Sequence, residues 1–139
     1  MDSWRYTREE DKVQAEARLG PQAAIDVSQL LGIWVNTNTK SKGINQLVIS
    51  RAADGLTVNV FGACDGSPQG WGEIKIDFIY AKNAGSQDLM AFTAFYDFGF
   101  METRLQANMS LGLLVVAGLN TFKDESGRSN YFSREFFHQ

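Results

Sequence analysis

The sequence predicts an all-β fold: an eight-stranded antiparallel up-and-down β-barrel with a short N-terminal helix in front of it. Three observations lead to that class. From Leu31 onward the apolar residues recur with period two, the repeat of a strand with one buried face. The chain holds ten Phe, four Tyr and three Trp, most of them between Trp71 and Phe137, with 13 Gly but only two Pro. That is a strand-and-turn vocabulary. Turn signals also punctuate the chain at the short intervals of an all-β meander.

Residues 1–30 are set apart as an N-terminal helical segment, and 31–139 as the barrel domain. Thr7-Arg8-Glu9-Glu10 has the spacing of a capping box, in which a hydroxyl and a carboxylate satisfy free amides at a helix start. Val13, Ala17 and Leu19 follow among charges, and Gly20-Pro21 stops the stretch, so a short amphipathic helix is predicted over 7–19. Asp26 to Leu31 reads as a further turn of α- or 3₁₀-helix.

The first strand is predicted at Gly32–Asn36, and the polar run Thr37 to Gly43 ends it. Ile44–Arg51 is the second, and Asp54-Gly55 supplies a hairpin turn. In the third, Leu56, Val58 and Val60 alternate with Thr57, Asn59 and Phe61; Asp65–Gly70 reads as a loop. The fourth sets Ile74, Ile76, Phe78 and Tyr80 against Glu73, Lys75 and Asp77. Met90, Phe92, Ala94 and Tyr96 form one face of the fifth. In the sixth, Thr103, Leu105, Ala107 and Met109 alternate with Glu102, Arg104, Gln106 and Asn108. Leu113–Leu119 and Ser129–Phe137 complete the set. Short connections favour neighbouring hairpins, and eight strands can close on themselves around side chains or one small ligand.

Composition narrows the function classes. At 139 residues one domain fits, burying roughly two-thirds of its unfolded surface. A net charge of −3, with 13 basic and 16 acidic residues intermingled, leaves no basic stripe for nucleic acid. The apolar run Leu111–Leu119 is far shorter than the ~20 residues of a bilayer crossing, so no membrane partner is expected. Asp2, Trp4 and Arg5 after Met1 do not resemble a secretory leader, and the single Cys64 allows no internal disulfide. Both point to a reducing, cytoplasmic setting.

Gly32-Ile33-Trp34 on the first barrel strand and Arg134 on the last resemble the Gly-x-Trp and late-Arg pattern of the calycins, the lipocalin and avidin-like barrels. The resemblance implies a Trp that plugs one end of the barrel with a basic residue across its indole, an arrangement worth roughly 0.5–2 kcal/mol. A second, local likeness joins Trp34-Val35-Asn36-Thr37 and Gly43-Ile44 to Gly62-Ala63-Cys64 and Trp71-Gly72-Glu73. This set is similar to a group of small uncharacterised bacterial β-domains, several with another Cys where this chain has Gln69 and Gly70. It implies no function.

The residues offer little to metal or nucleophilic chemistry. His138 is the only histidine and Cys64 the only cysteine, too few N and S ligands for zinc and too few partners for a Ser or Cys triad. No metal and no cofactor is expected. Acid–base work by a buried carboxyl is open to Glu73, Asp97, Glu102 and Glu135, alongside Tyr80, Tyr96, Tyr131 and Arg104. The row Glu102, Arg104, Gln106, Asn108 is either a solvated outer face or a polar stripe in a cavity. If the latter, Glu102, Arg104 and Tyr96 become the candidate catalytic residues. The candidate ligand-binding lining is Trp34, Phe78, Tyr80, Met90, Phe92, Tyr96 and Tyr131.

Three functions follow. The first is binding of a small, largely apolar or aromatic molecule in the barrel cavity. The second is an isomerase, cyclase or dehydratase, free of metal and cofactor, that folds a polyketide- or terpenoid-like substrate there. The third is a carbohydrate-binding or interaction module built on Trp71 and the Asp65–Gly70 loop. The front helix could act as a lid, as the contact of a homodimer or as a cap on the core.

Overall fold

The computed structural model describes residues 25–64 and 67–139. The helix predicted over 7–19 lies outside the described residues, as do Asp65 and Gly66. The fold is all-β, with no helix among the described residues. Nine strands follow one another: β1 Gly32–Asn36, β2 Ile44–Ala52, β3 Gly55–Cys64, β4 Ser67–Lys75, β5 Phe78–Ala81, β6 Leu89–Asp97, β7 Met101–Ser110, β8 Leu113–Phe122 and β9 Tyr131–His138. They form one antiparallel sheet in the order β4-β3-β2-β1-β9-β8-β7-β6-β5, curled into a half-barrel. Every neighbour but β1–β9 is also a neighbour in the chain, so the topology is the predicted meander. Its two edges, β4 and β5, are themselves successive in sequence.

The predicted closed barrel of eight strands is therefore corrected to an open half-barrel of nine, with β4 and β5 as its edges. The strand predicted across 73–80 changes partner midway: the Ile76 amide bonds Leu56 O of β3 at 2.9 Å, and the next amide, Asp77, bonds Thr93 O of β6 at 2.8 Å. Inward–outward alternation depends on one continuous pleat, so it does not carry through this switch. Ile74 and Ile76 pack on or in the core, but Phe78 and Tyr80 are 65% and 49% exposed, and Ile79 turns inward instead. The predicted loop also shrinks, because Ser67–Gly70 pairs with Phe61–Cys64. Pro68 fits there because β4 is an edge strand, where a missing N–H leaves no partner waiting.

One end of the half-barrel is packed solid. Trp34, Leu47, Ile49, Val58, Phe92, Leu105, Leu114 and Phe137 are buried, and Val27 and Leu30 close this end from below. The turn predicted near Asp26–Leu31 is present as a single turn, Leu30 N–H bonding Val27 O at 2.9 Å. It presents Leu30 O to Trp34 Nε1, which donates to it at 2.8 Å and so satisfies the buried indole. Arg134 sits on the convex face with its guanidinium 5.4 Å from the Phe136 ring centre, whereas Trp34 is in the concave core.

Beside the gap between β4 and β6, Tyr96 acts as a stitch. A bulge between Asn59 and Phe61 takes Val60 out of the β3–β4 ladder. The Tyr96 hydroxyl accepts the Val60 N–H at 3.2 Å and donates to Gly72 O of β4 at 2.6 Å. Burial pushes the Tyr96 phenol up to about 12; the Val60 hydrogen bond works against this and the Glu73 carboxylate with it.

Candidate functional site

At the other end the described residues leave a cleft. A cleft of about 140 Å³ opens on the concave side between β2, β3 and β4 on one hand and β7, β8 and β9 on the other. Its polar wall follows from strand register. Thr103, Asn120 and Tyr131 are directly opposite one another across β7, β8 and β9, and Leu105, Gly118 and Ser133 form the next row down. Glu135 stands two residues beyond Ser133, on the same side of β9. Ile44 and Gly62, paired between β2 and β3, face them with Trp71.

Glycine makes room for two of the side chains that edge it. A Cβ on Gly118 would meet Ser133 Oγ at 2.7 Å, and one on Gly62 would meet the Trp71 indole at 2.7–3.1 Å. Both contacts are closer than packed atoms tolerate, so the two side chains that edge the cleft lie where they do because the facing residue has none.

The polar groups are held in place. Thr103 Oγ1 donates to Asn120 Oδ1 at 2.7 Å, and the Asn120 amide reaches Tyr131 O at 3.3 Å, so two buried residues fix each other's rotamers. Glu135 accepts from Asn36 Nδ2, Ser41 Oγ and the Ile44 amide. This carboxylate binds the 37–43 loop to β9 and uses both of its oxygens doing so. Lys42 from the same loop reaches the rim.

An arc of aromatic rings leaves the cleft and returns to it. Trp71 stands edge-on to Tyr96 and Phe98, with centroids 5.5 and 5.4 Å away. Phe98, Phe100, Phe122 and Tyr131 continue it at 6.1–6.5 Å spacings. Phe100 and Tyr131 are 45% and 51% exposed, so the rim presents ring surface to solvent. The Arg128 guanidinium covers part of it, 4.2 Å from the Phe122 centroid.

Of the residues predicted to line a pocket, Tyr131 lines the cleft. Trp34, Phe92 and Tyr96 are core residues, Met90 is half-buried, and Phe78 and Tyr80 point to solvent. Glu102 and Arg104 lie on the convex face, where Arg104 covers the Phe95 ring and Glu102 is 3.7 Å from Lys123 Nζ. The row Glu102–Asn108 is thus the outer face. Glu135, one of the acids weighed as a buried carboxyl, does reach the cleft; Lys42, Gly62, Thr103, Gly118, Asn120 and Ser133 were not foreseen. Their signal was faint: Thr103 and Asn120 are polar residues on otherwise apolar inward faces.

Among the described residues no group of three or more His, Cys, Asp or Glu is placed to hold a metal, and no helix is long and apolar enough to cross a membrane. No family model matches the chain, and no curated protein or solved structure matches it.

Proposed function

We propose that this protein is a binding module whose concave cleft takes one small ring, or the ring-sized end of a larger molecule. The observation that carries this reading is a cleft that the described residues leave beside the buried core. Interiors fill to crystal-like density, and a void without an occupant forfeits dispersion contacts. Here Gly62 and Gly118 let Trp71 and Ser133 sit at its edge, and fixed polar side chains line it together with Trp71 and Tyr131. Such sites are mostly apolar with a few placed polar groups.

Volume selects among ligands. Sites that enclose a drug-sized molecule occupy roughly 300–1,000 Å³; this cleft offers about 140 Å³. The size favours a single ring over a folded polyketide or terpenoid chain, and so favours binding over the cyclase or isomerase reading.

The test is an amide-resolved NMR titration with ring-sized probes: indole, phenol, benzoate and simple glycosides. Binding at the cleft moves the resonances of Gly62, Trp71, Gly118 and Ser133 together. A Ser133→Leu variant, whose larger side chain extends into the cleft opposite Gly118, abolishes those shifts while keeping a dispersed spectrum. Shifts that are absent for every probe, or that survive in Ser133→Leu, overturn the reading.

A further inference from the structure

Resting on that site being a binding site, we infer that its ligand is a neutral polyhydroxylated ring, the terminal sugar residue of a carbohydrate chain. The charge of the lining argues first. Lys42 and Glu135 bring opposite charges to one rim, so neither sign of ligand is favoured by the pair. An alkylammonium group would need an acceptor, but both Glu135 oxygens are already engaged by Asn36, Ser41 and the Ile44 amide. The open aromatic faces that would also attract it are partly taken, since Arg128 lies 4.2 Å from the Phe122 centroid and 5.5 Å from that of Phe100. An aromatic acid would bring its carboxylate beside the Glu135 carboxylate. A hydrocarbon ring would strip water from Ser133 and Tyr131 and return no hydrogen bond, and each polar group so stranded costs about 1–3 kcal/mol.

A sugar ring meets all of these constraints. Its hydroxyls donate and accept, as do Ser133 Oγ and the Tyr131 phenol. Its C–H faces are apolar and lie well on aromatic rings, which Trp71 and Tyr131 supply at the cleft. The cleft's size admits one residue. Beside it, Phe98 and the partly exposed Phe100 follow Trp71 at 5.4 and 6.4 Å, giving ring surface on which a further residue of the chain extends.

The experiment titrates the whole chain with a panel of methyl glycosides and matching tri- and tetrasaccharides, against indole, benzoate and benzyltrimethylammonium as competitors in kind. Amide shifts locate each probe, and calorimetry measures affinity. At least one glycoside is expected to shift the Gly62, Trp71, Gly118 and Ser133 resonances, and its oligosaccharide to bind about tenfold more tightly as the arc is engaged. Trp71→Ala weakens binding at least about tenfold; Ser133→Ala, a milder change that leaves the packing intact, weakens it several-fold. Glycosides that leave the cleft resonances still, while indole, benzoate or the ammonium probe moves them, overturn the sugar assignment and leave the binding site standing. Silence from every probe removes both. Sugar binding that maps away from the cleft, or that is indifferent to both substitutions, also overturns it.

Discussion

Replacing Tyr96 with phenylalanine removes one oxygen atom from the seam of the half-barrel, and its cost can be worked from two contacts. The hydroxyl accepts the Val60 N–H at 3.2 Å and donates to Gly72 O at 2.6 Å, and Val60 is fully buried. Losing two hydrogen bonds costs about 1 kcal/mol each, and a buried amide left without a partner adds a desolvation penalty, so Tyr96→Phe should lower stability by about 2–4 kcal/mol. Equilibrium urea unfolding reads this directly, with an unchanged slope showing that the native state is still compact. Alkaline pH supplies an independent check. The native phenol titrates near 12, whereas in the unfolded chain it titrates near its ordinary 10. Below pH 10 both states keep the proton and the stabilisation is intact. As pH rises from 10 to about 12 the unfolded chain releases the proton and the native state does not. Stability therefore falls across this window, by about 2–3 kcal/mol in all. The phenylalanine variant lacks this loss, so the gap between the two proteins should narrow from pH 10 to 12. A gap below about 0.5 kcal/mol at pH 8, or one that stays constant up to pH 12, refutes the stitch.

Three further substitutions test the frame and the cleft. Gly62→Ala places a methyl 2.7–3.1 Å from three indole atoms of Trp71, and such overpacking against a rigid ring costs about 1–3 kcal/mol, with a changed near-ultraviolet circular dichroism spectrum as the ring moves. Glu135→Gln turns a group that accepts from Asn36, Ser41 and Ile44 into one that presents an NH₂ to some of the same donors; a loss of about 1–3 kcal/mol and faster amide exchange at Gly43 and Ile44 are expected. Leu111→Asn acts in the opposite direction. The two-residue turn between β7 and β8 has φ of 51° at Leu111 and 81° at Gly112, the left-handed pair that Asn-Gly satisfies, and Leu111 is wholly exposed, so thermal unfolding should show a gain of about 0.5–1 kcal/mol.

The fold was legible wherever one face of a strand meets the core and the other meets solvent. β7 is the plainest case: Thr103, Leu105 and Ala107 are buried while Arg104, Gln106 and Asn108 are exposed, as the alternation in sequence requires. Legibility failed at β4 and β5 for a geometric reason. Ile74, Ile76, Phe78 and Tyr80 keep a strict period of two, but the pleat that gives that period its meaning breaks when the chain exchanges β3 for β6 between Ile76 and Asp77. Period alone does not register a change of partner. Asp77 and Lys75 read equally well as outward residues on an unbroken strand.

The cleft was harder to foresee because its making depends on residues that contribute no side chain. Aromatic rows are conspicuous in a sequence, and they suggest a lining, yet large inward rings fill space: Trp34, Phe92 and Tyr96 are all buried in contact with the core. Gly62 and Gly118 instead make room for Trp71 and Ser133 at the cleft's edge, and a glycine in a strand reads from sequence as a weakness or a bulge. Strand β9 adds a second obscurity. Tyr131, Ser133 and Glu135 face the cleft and Phe132, Arg134 and Phe136 face outward, so each side carries both apolar and polar groups and alternation does not say which is inside. What fixes the side is register. Pairing Ser133 with Gly118 and Tyr131 with Asn120 puts hydroxyl, amide and phenol into one patch across β7, β8 and β9. A shift of one residue would turn Phe132, Arg134 and Phe136 inward and replace the cleft with packed rings and a buried cation. The same register that completes the core at Phe137 therefore also creates the polar patch six residues away at Tyr131, and binding and stability at this end of the sheet are set by a single alignment of β8 with β9.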